Sequence, residues 1–264
     1  PSKLFQLNLP SNELKTFEMP EMIASMSVRT DKDLLIASHH GLHNFNLENK
    51  KFEKILDLEP NLKNNRCNDG ASDSLGRFWI GTMQNNISPD ATDIALTENS
   101  GNLYCVNRDL SFTKQESNIG VSNTIAWSPD NKKFYFTDTL TGMICSYDFN
   151  LEDGIISNKQ DFASHERGYP DGSTVDSEGY LWSCRWGGSC VIRFNPQGKV
   201  DDIIELPVEN ITSCTFGGKN LQTLFITTAR WGMSKEDIEK NSQAGGLYSI
   251  NLSVKGMPDN SFKG

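Results

Sequence analysis

Two short sequence elements alternate along this chain, and they restrict its fold more than any other feature. The first is a strand of alternating character that closes on Asn or Asp. It recurs six times, at Leu4–Asn8, Leu42–Asn46, Leu103–Asn107, Ile144–Asp148, Val191–Asn195 and Leu247–Asn251. The second is a polar turn running into an aromatic or aliphatic strand. It recurs five times, at Asp31–Ile36, Asp73–Ile80, Asp130–Phe136, Asp176–Trp182 and Lys219–Ile226. Asp and Gly supply turn dihedrals, so Gly-x-Phe-Trp or Gly-Tyr-Leu-Trp after an Asp reads as a hairpin turn entering a buried strand.

The alternation gives units of about 40–60 residues with about four short strands each, the pattern of propeller blades. Helical periodicity is confined to one short stretch, Met233–Gln243. The predicted fold is all-β, a six-bladed β-propeller spanning 1–264 as a single domain; a β-sandwich or irregular barrel is the competing arrangement. Dividing 264 residues by six gives 44 per blade, within the range of about 40–50 for such repeats. Six copies of the first element stand against five of the second, and Leu4–Asn8 has no partner before it. The first blade is therefore expected to be incomplete in this chain, with about 30–40 residues preceding Pro1.

Composition narrows the partners. With 25 basic against 34 acidic side chains, the net charge is −9 and no Lys/Arg block interrupts it. Nucleic acid and anionic membrane are disfavoured on that ground. No apolar run approaches the roughly 18 residues of a membrane helix. The six cysteines contain no Cys-x-x-Cys. They read as buried reduced thiols of a cytoplasmic protein rather than a disulfide framework or zinc site. Oligomeric state is left open.

Propeller chemistry sits where the innermost strand of each blade begins. The segments there are Asn65-Arg66-Cys67-Asn68-Asp69-Gly70, Ser122-Asn123-Thr124, Tyr169-Pro170-Asp171-Gly172 and Thr212-Ser213-Cys214. Asn68, Asn123 and Asp171 are expected to point toward one another around the axis. Two amides and a carboxylate make a hard, oxygen-rich site suited to Ca²⁺, Mg²⁺ or Mn²⁺ and less to Zn²⁺. Against this stands the plain alternative that Asn-Asp-Gly and Pro-Asp-Gly are turns.

The run Asn65–Gly70, followed by Asp73-Ser74-Leu75-Gly76-Arg77-Phe78-Trp79-Ile80-Gly81-Thr82-Met83, resembles the regucalcin/gluconolactonase/luciferin-regenerating enzyme family. The likeness continues in order through Ser122-Asn123 before Ala126-Trp127-Ser128-Pro129-Asp130, then Tyr169–Gly172 before Asp176-x-Glu178-Gly179. Phe216-Gly217-Gly218, Thr227-Thr228-Ala229-Arg230 and Gly245-Gly246-Leu247 complete it over nearly the whole chain. The resemblance implies a six-bladed propeller with one divalent metal ion, Ca²⁺ foremost and Mg²⁺, Mn²⁺ or Zn²⁺ as alternatives. It implies an enzyme that hydrolyses small-molecule sugar-acid lactones. It makes Asn123 and Asp171 metal ligands, Asp171 also the general base, and Arg66 and Asn68 the substrate-holding groups. The alternative within the same likeness is a non-catalytic, calcium-binding regulatory propeller.

Two departures qualify the likeness. The family's third ligand, a glutamate in a Gly-Glu-Gly-Pro-like segment, has no counterpart; Glu18-Met19-Pro20 imitates it at the wrong place. Asn86 stands where some members carry a substrate-contacting glutamate, so sugar preference does not carry over. A serine hydrolase lacks support, because no Gly-x-Ser-x-Gly occurs. His39-His40-Gly41-Leu42-His43 is expected to be an exposed polar hairpin rather than a zinc site. Trp186, Arg230 and Trp231 are expected in loops, as pocket walls or as packing at blade edges.

Overall fold

The computed structural model describes residues 2–88 and 92–264. Both repeated elements form strands, and their alternation generates the sheets. By contacts the chain forms two compact units, Pro1–Ser122 with Asp259–Gly264, and Asn123–Pro258.

In the first unit, β1 (Ser2–Asn8) and β2 (Glu13–Met19) make a two-stranded antiparallel sheet. Next come β3 (Ile23–Val28), β4 (Asp33–Ser38), β5 (Gly41–Asn46) and β6 (Phe52–Leu56), paired in that order. A second four-stranded meander follows: β7 (Asn65–Ser72), β8 (Phe78–Gln84), β9 (Gly101–Val106) and β10 (Phe112–Ile119). From Asn123 onward, the second unit carries β11 (Ser122–Trp127), β12 (Lys133–Asp138), β13 (Met143–Asn150) and β14 (Ile155–Ser164), then β15 (Tyr169–Val175), β16 (Leu181–Trp186), β17 (Cys190–Phe194) and β18 (Val200–Glu205). It closes with β19 (Asn210–Gly217), β20 (Thr223–Ala229) and β21 (Leu247–Asn251). One short helix, α1 (Lys235–Lys240), lies within the stretch read as helical from the sequence.

The second repeated element supplies the second strand of each larger sheet, which explains its continuous apolar character. Leu35, Ile36 and Ala37 of β4 are all fully buried, as expected of a strand covered on both faces. The last strands, such as β6 and β10, are mostly exposed or half-buried. Each unit has its own cores: Leu35, Phe78, Tyr104 and Phe262 cluster in the first, Trp182, Ile211, Phe216 and Leu224 in the second.

The Asp that opens the second element does more than turn the chain. Asp176 is fully buried; its Oδ1 accepts from the amides of Glu178 and Tyr180, and its Oδ2 from the Trp182 indole at 2.9 Å and the Arg193 guanidinium at 2.7 Å. Asp73 repeats the arrangement, with the Leu75 and Arg77 amides, the Trp79 indole at 3.0 Å and Arg77 Nε at 2.7 Å. These carboxylates tie a turn to the aromatic residue six positions later. A buried charge held this way is stable only while its partners remain.

All six cysteines are free, and five are buried. Burial pushes Cys67 and Cys105 up to about 12, so neither is a reactive thiolate. No helix among the described residues is long and apolar enough to cross a membrane.

Candidate functional site

The polar segments picked out from the sequence all fall in the first strand of a sheet: Asn65–Gly70 in β7, Asn123 in β11, Asp171 in β15 and Thr212-Ser213 in β19. Asn-Asp-Gly and Pro-Asp-Gly are thus strand segments, not turns. Three of these strands are irregular at the same place. The β7–β8 register jumps between Cys67 and Gly70, β15–β16 between Pro170 and Ser173, and β19–β20 between Ile211 and Ser213. A bulge releases residues from the ladder and re-aims their side chains. Asn68 and Asp171 are among the released residues.

Arg66 and Asn68 come together directly in the first unit. Arg66 Nη1 donates to Asn68 Oδ1 at 2.7 Å and to the Cys67 carbonyl at 2.9 Å, while Nε and Nη2 both reach Asn86 Oδ1, at 3.2 and 2.8 Å. Asn68 Nδ2 in turn donates to the Ser122 carbonyl at 2.8 Å. The guanidinium is mostly buried, and its planar fork is fixed by two carboxamides. Gly81 is required here, since a Cβ on it would stand 2.3 Å from Ser122 Oγ.

In the second unit a threonine ties Asn123 to the backbone of the segment that carries Asp171. Asn123 Nδ2 donates to Thr139 Oγ1 at 2.8 Å, and Thr139 Oγ1 donates to the Pro170 carbonyl at 2.8 Å. Thr124 Oγ1 donates to the Asp171 carbonyl at 2.7 Å. Asn123 is buried and Asp171 half-buried. An amide oxygen and a carboxylate are the donors a hard divalent cation takes, so these residues fit one by chemistry. Among the described residues no group of three or more His, Cys, Asp or Glu could hold a metal ion. One carboxylate would leave most of the cation's charge available, with further oxygens or water completing six to eight ligands.

Glu18 is not part of this arrangement; it lies in β2 and pairs with Lys3 at 3.1 Å on the surface. The His39–His43 segment corrects the expectation of an exposed hairpin. His40 is exposed, but His43 is 4% exposed, stacked on Phe52 at 4.2 Å between ring centroids and bonded to Ser38 Oγ at 3.1 Å. It is buried because β5 is buried along most of its length. Glu21 reaches His43 at 3.3 Å and His40 at 3.1 Å. Trp186 ends β16 rather than lying in a loop, and Arg230 Nε is spent on the Ala244 carbonyl at 2.6 Å.

The sequence reading missed Glu59, which holds the β7 region together. Its Oε1 accepts from Thr82, Asn102 and Tyr104 at 2.9, 2.6 and 2.8 Å, and its Oε2 from Asn65 at 2.8 Å. Burial, reinforced by Glu59, raises Tyr104 well above the usual phenol value. A lone acid between Leu58 and Pro60, just ahead of a first strand, was the available signal. Thr139 was missed as well; it follows β12 in a short 3-10 turn.

The chain is similar to regucalcin of Gallus gallus, at 32% identity over 266 residues covering 99% of this chain and 88% of the relative. Among solved structures, a calcium-binding protein, regucalcin, from Agrobacterium tumefaciens superimposes with a TM-score of 0.91 at 28% identity, covering 99% of this chain and 86% of that one. A luciferin-regenerating enzyme superimposes with a TM-score of 0.89 at 28% identity, covering 99% and 88%. The class is therefore an all-β propeller whose polar residues stand on the first strands of its sheets. The profile described as SMP-30/Gluconolactonase/LRE-like region matches residues 2–230. The chain belongs to that family, whose membership supports a lactonase-type or regucalcin-like function.

Proposed function

We propose that the protein is a divalent-metal-dependent hydrolase that opens a lactone of an aldonic acid. The observation carrying this reading is the placement of Arg66, Asn68, Asn123 and Asp171 on first strands, in a chain whose family includes gluconolactonases. The fold reading that goes with it is six-bladed, counting the β1–β2 hairpin as part of a blade beside the five larger sheets.

In this reading Asn123 and Asp171 hold the cation, with Ca²⁺ the best match to their oxygens. When bound, it supplies a Lewis acid for the lactone carbonyl. The Asp171 carboxylate accepts a proton from the attacking water. The water oxygen bonds to the carbonyl carbon, the ring C–O bond breaks, and the proton passes to the departing alkoxide, leaving a hydroxy acid. Arg66, braced by Asn86 and Asn68, donates hydrogen bonds to sugar hydroxyls or to the oxygen on which charge develops. The substrate is a small sugar lactone; nucleic acid and membrane are not partners, and the protein acts in the cytoplasm.

Lactone opening followed with and without chelator, on the parent chain and Asp171→Ala, tests this. Chelator and substitution should each abolish turnover, and unchanged turnover in both sinks the proposal. A second reading, a regulatory calcium-binding propeller without turnover, draws on the calcium-binding description of the Agrobacterium relative. Calorimetric calcium titration beside a lactone panel separates the two, since binding without turnover selects the second.

A further inference from the structure

A cavity of about 310 Å³ opens in the first unit beside Arg66, walled by His39, Lys54, Asp57, Glu59, Lys63 and Thr82 among others. That volume is at the lower end of the range of about 300–1,000 Å³ for small-ligand sites, which suits one monosaccharide-sized molecule. Its chemistry is two-sided. Lys54 is spent on Asp57 at 2.9 Å. Lys63 is exposed and has no ion-pair partner among the described residues. The half-buried His39 ring stacks on His40 at 4.7 Å, and its nitrogens bond to none of the described residues. Glu59 lines the same cavity, fixed in place by its four neutral donors, with lone-pair capacity left on Oε2. Leu58, Pro60 and Leu62 supply an apolar wall.

A bare anion would use only the donor side, and a neutral sugar, whose hydroxyls both donate and accept, would leave the Lys63 charge without a counter-charge. A hydroxylated carboxylate uses both sides. We propose that this cavity is a subsite for an aldonate, the open-chain sugar acid that lactone opening releases, with its carboxylate on Lys63 and His39 and its hydroxyls toward Glu59. The product assignment rests on the hydrolase reading above; the carboxylate subsite does not.

Calorimetric titration of the full chain with gluconate, with sorbitol (the neutral polyol) and with acetate (the bare carboxylate) tests it. Gluconate should bind at least about tenfold tighter than either comparator. Lys63→Gln and His39→Gln should each weaken gluconate by about two- to fivefold, the range of a single solvent-accessible polar or charged contact. Lys51→Gln, whose parent side chain pairs with Glu53 away from the cavity, should leave the affinity as it was. Melting temperatures measured alongside show that the variants are folded. Equal affinity for gluconate and sorbitol, or no loss in both Lys63→Gln and His39→Gln, overturns the proposal. Lactone turnover without gluconate binding sinks the subsite alone, and gluconate binding without turnover sinks the hydrolase reading alone.

Discussion

Arg66 donates to Asn68 at 2.7 Å beside the β7 bulge, so the two residues named as substrate-holding groups are a single hydrogen-bonded unit. The same guanidinium forks onto one oxygen of Asn86. Lysine keeps the charge but cannot reproduce a planar fork that reaches both amides. Arg66→Lys should therefore lower kcat/KM for a lactone by about 10²-fold, in the range seen for loss of one oriented donor. Melting temperature should move far less than activity. Steady-state kinetics beside thermal unfolding checks this, and near-parent kcat/KM in the lysine variant refutes the fork's role.

Asp176 makes a different prediction, because its partners are the turn and Trp182 rather than any ligand. Asp176→Ala leaves the Trp182 indole and part of Arg193's charge without their acceptor. Breaking such a buried network costs about 3–5 kcal/mol. An unfolding free energy from urea titration lowered by that amount, with an unchanged KM for the remaining folded protein, is the expected result. A raised KM with unchanged stability would assign Asp176 to the site instead.

The acid limb of stability should be set in part by the histidine turn. Burial holds His43 below the usual histidine value of 6.5, against the opposing charge of Glu21, with Lys54 and His40 adding to the downward shift. Burial pushes Glu21 up from 4.5, but the bonds from His40 and Ser38 and the charges of His43 and His40 bring it below that value. In both cases the unfolded chain binds protons more readily than the folded one. Stability is thus fully present above 6.5, falls as pH drops below it through His43, and falls again below 4.5 through Glu21. His39 is lowered by burial too, with His40 and Arg66 adding to it. His43→Phe keeps a ring against Phe52, and it should shrink the loss between pH 7.5 and 5 without removing it. Urea midpoints across that range decide the point; an unaltered slope contradicts it.

Much of this architecture was legible in the chain. All eleven repeated segments form strands, since alternation and an Asp/Gly turn are local properties that tertiary packing reinforced rather than overrode. The bulges were not legible. Asn-Asp-Gly and Pro-Asp-Gly have the composition of turns, and only pairing with β8 and β16 makes them irregular strand. His43 was misread because its burial depends on Phe52, nine residues away on the neighbouring strand. Glu59 escaped because its donors Asn65, Thr82, Asn102 and Tyr104 are up to 45 positions distant. The polar segments of the first strands were thus found by position in the repeat, whereas the residues bracing them needed the fold.

Gly172 tests whether the β15 bulge is what aims Asp171. It follows Asp171 in the released stretch and is buried. A Cβ there would lie 2.5 Å from Ser213 Oγ and 2.8 Å from the Thr212 carbonyl. Ser213 can swing its hydroxyl away, but the Thr212 backbone cannot yield without disturbing β19. Overpacking of this kind costs about 1–3 kcal/mol, too little to unfold a domain of ordinary stability. The strain should instead shift the bulge and displace the Asp171 carboxylate. A misplacement of about 1 Å costs on the order of 10² in rate. Gly172→Ala should therefore stay folded yet lose lactone turnover and calcium affinity together. If turnover and calcium binding both persist, the bulge does not position Asp171, and its recurrence in β7 and β19 belongs to packing alone.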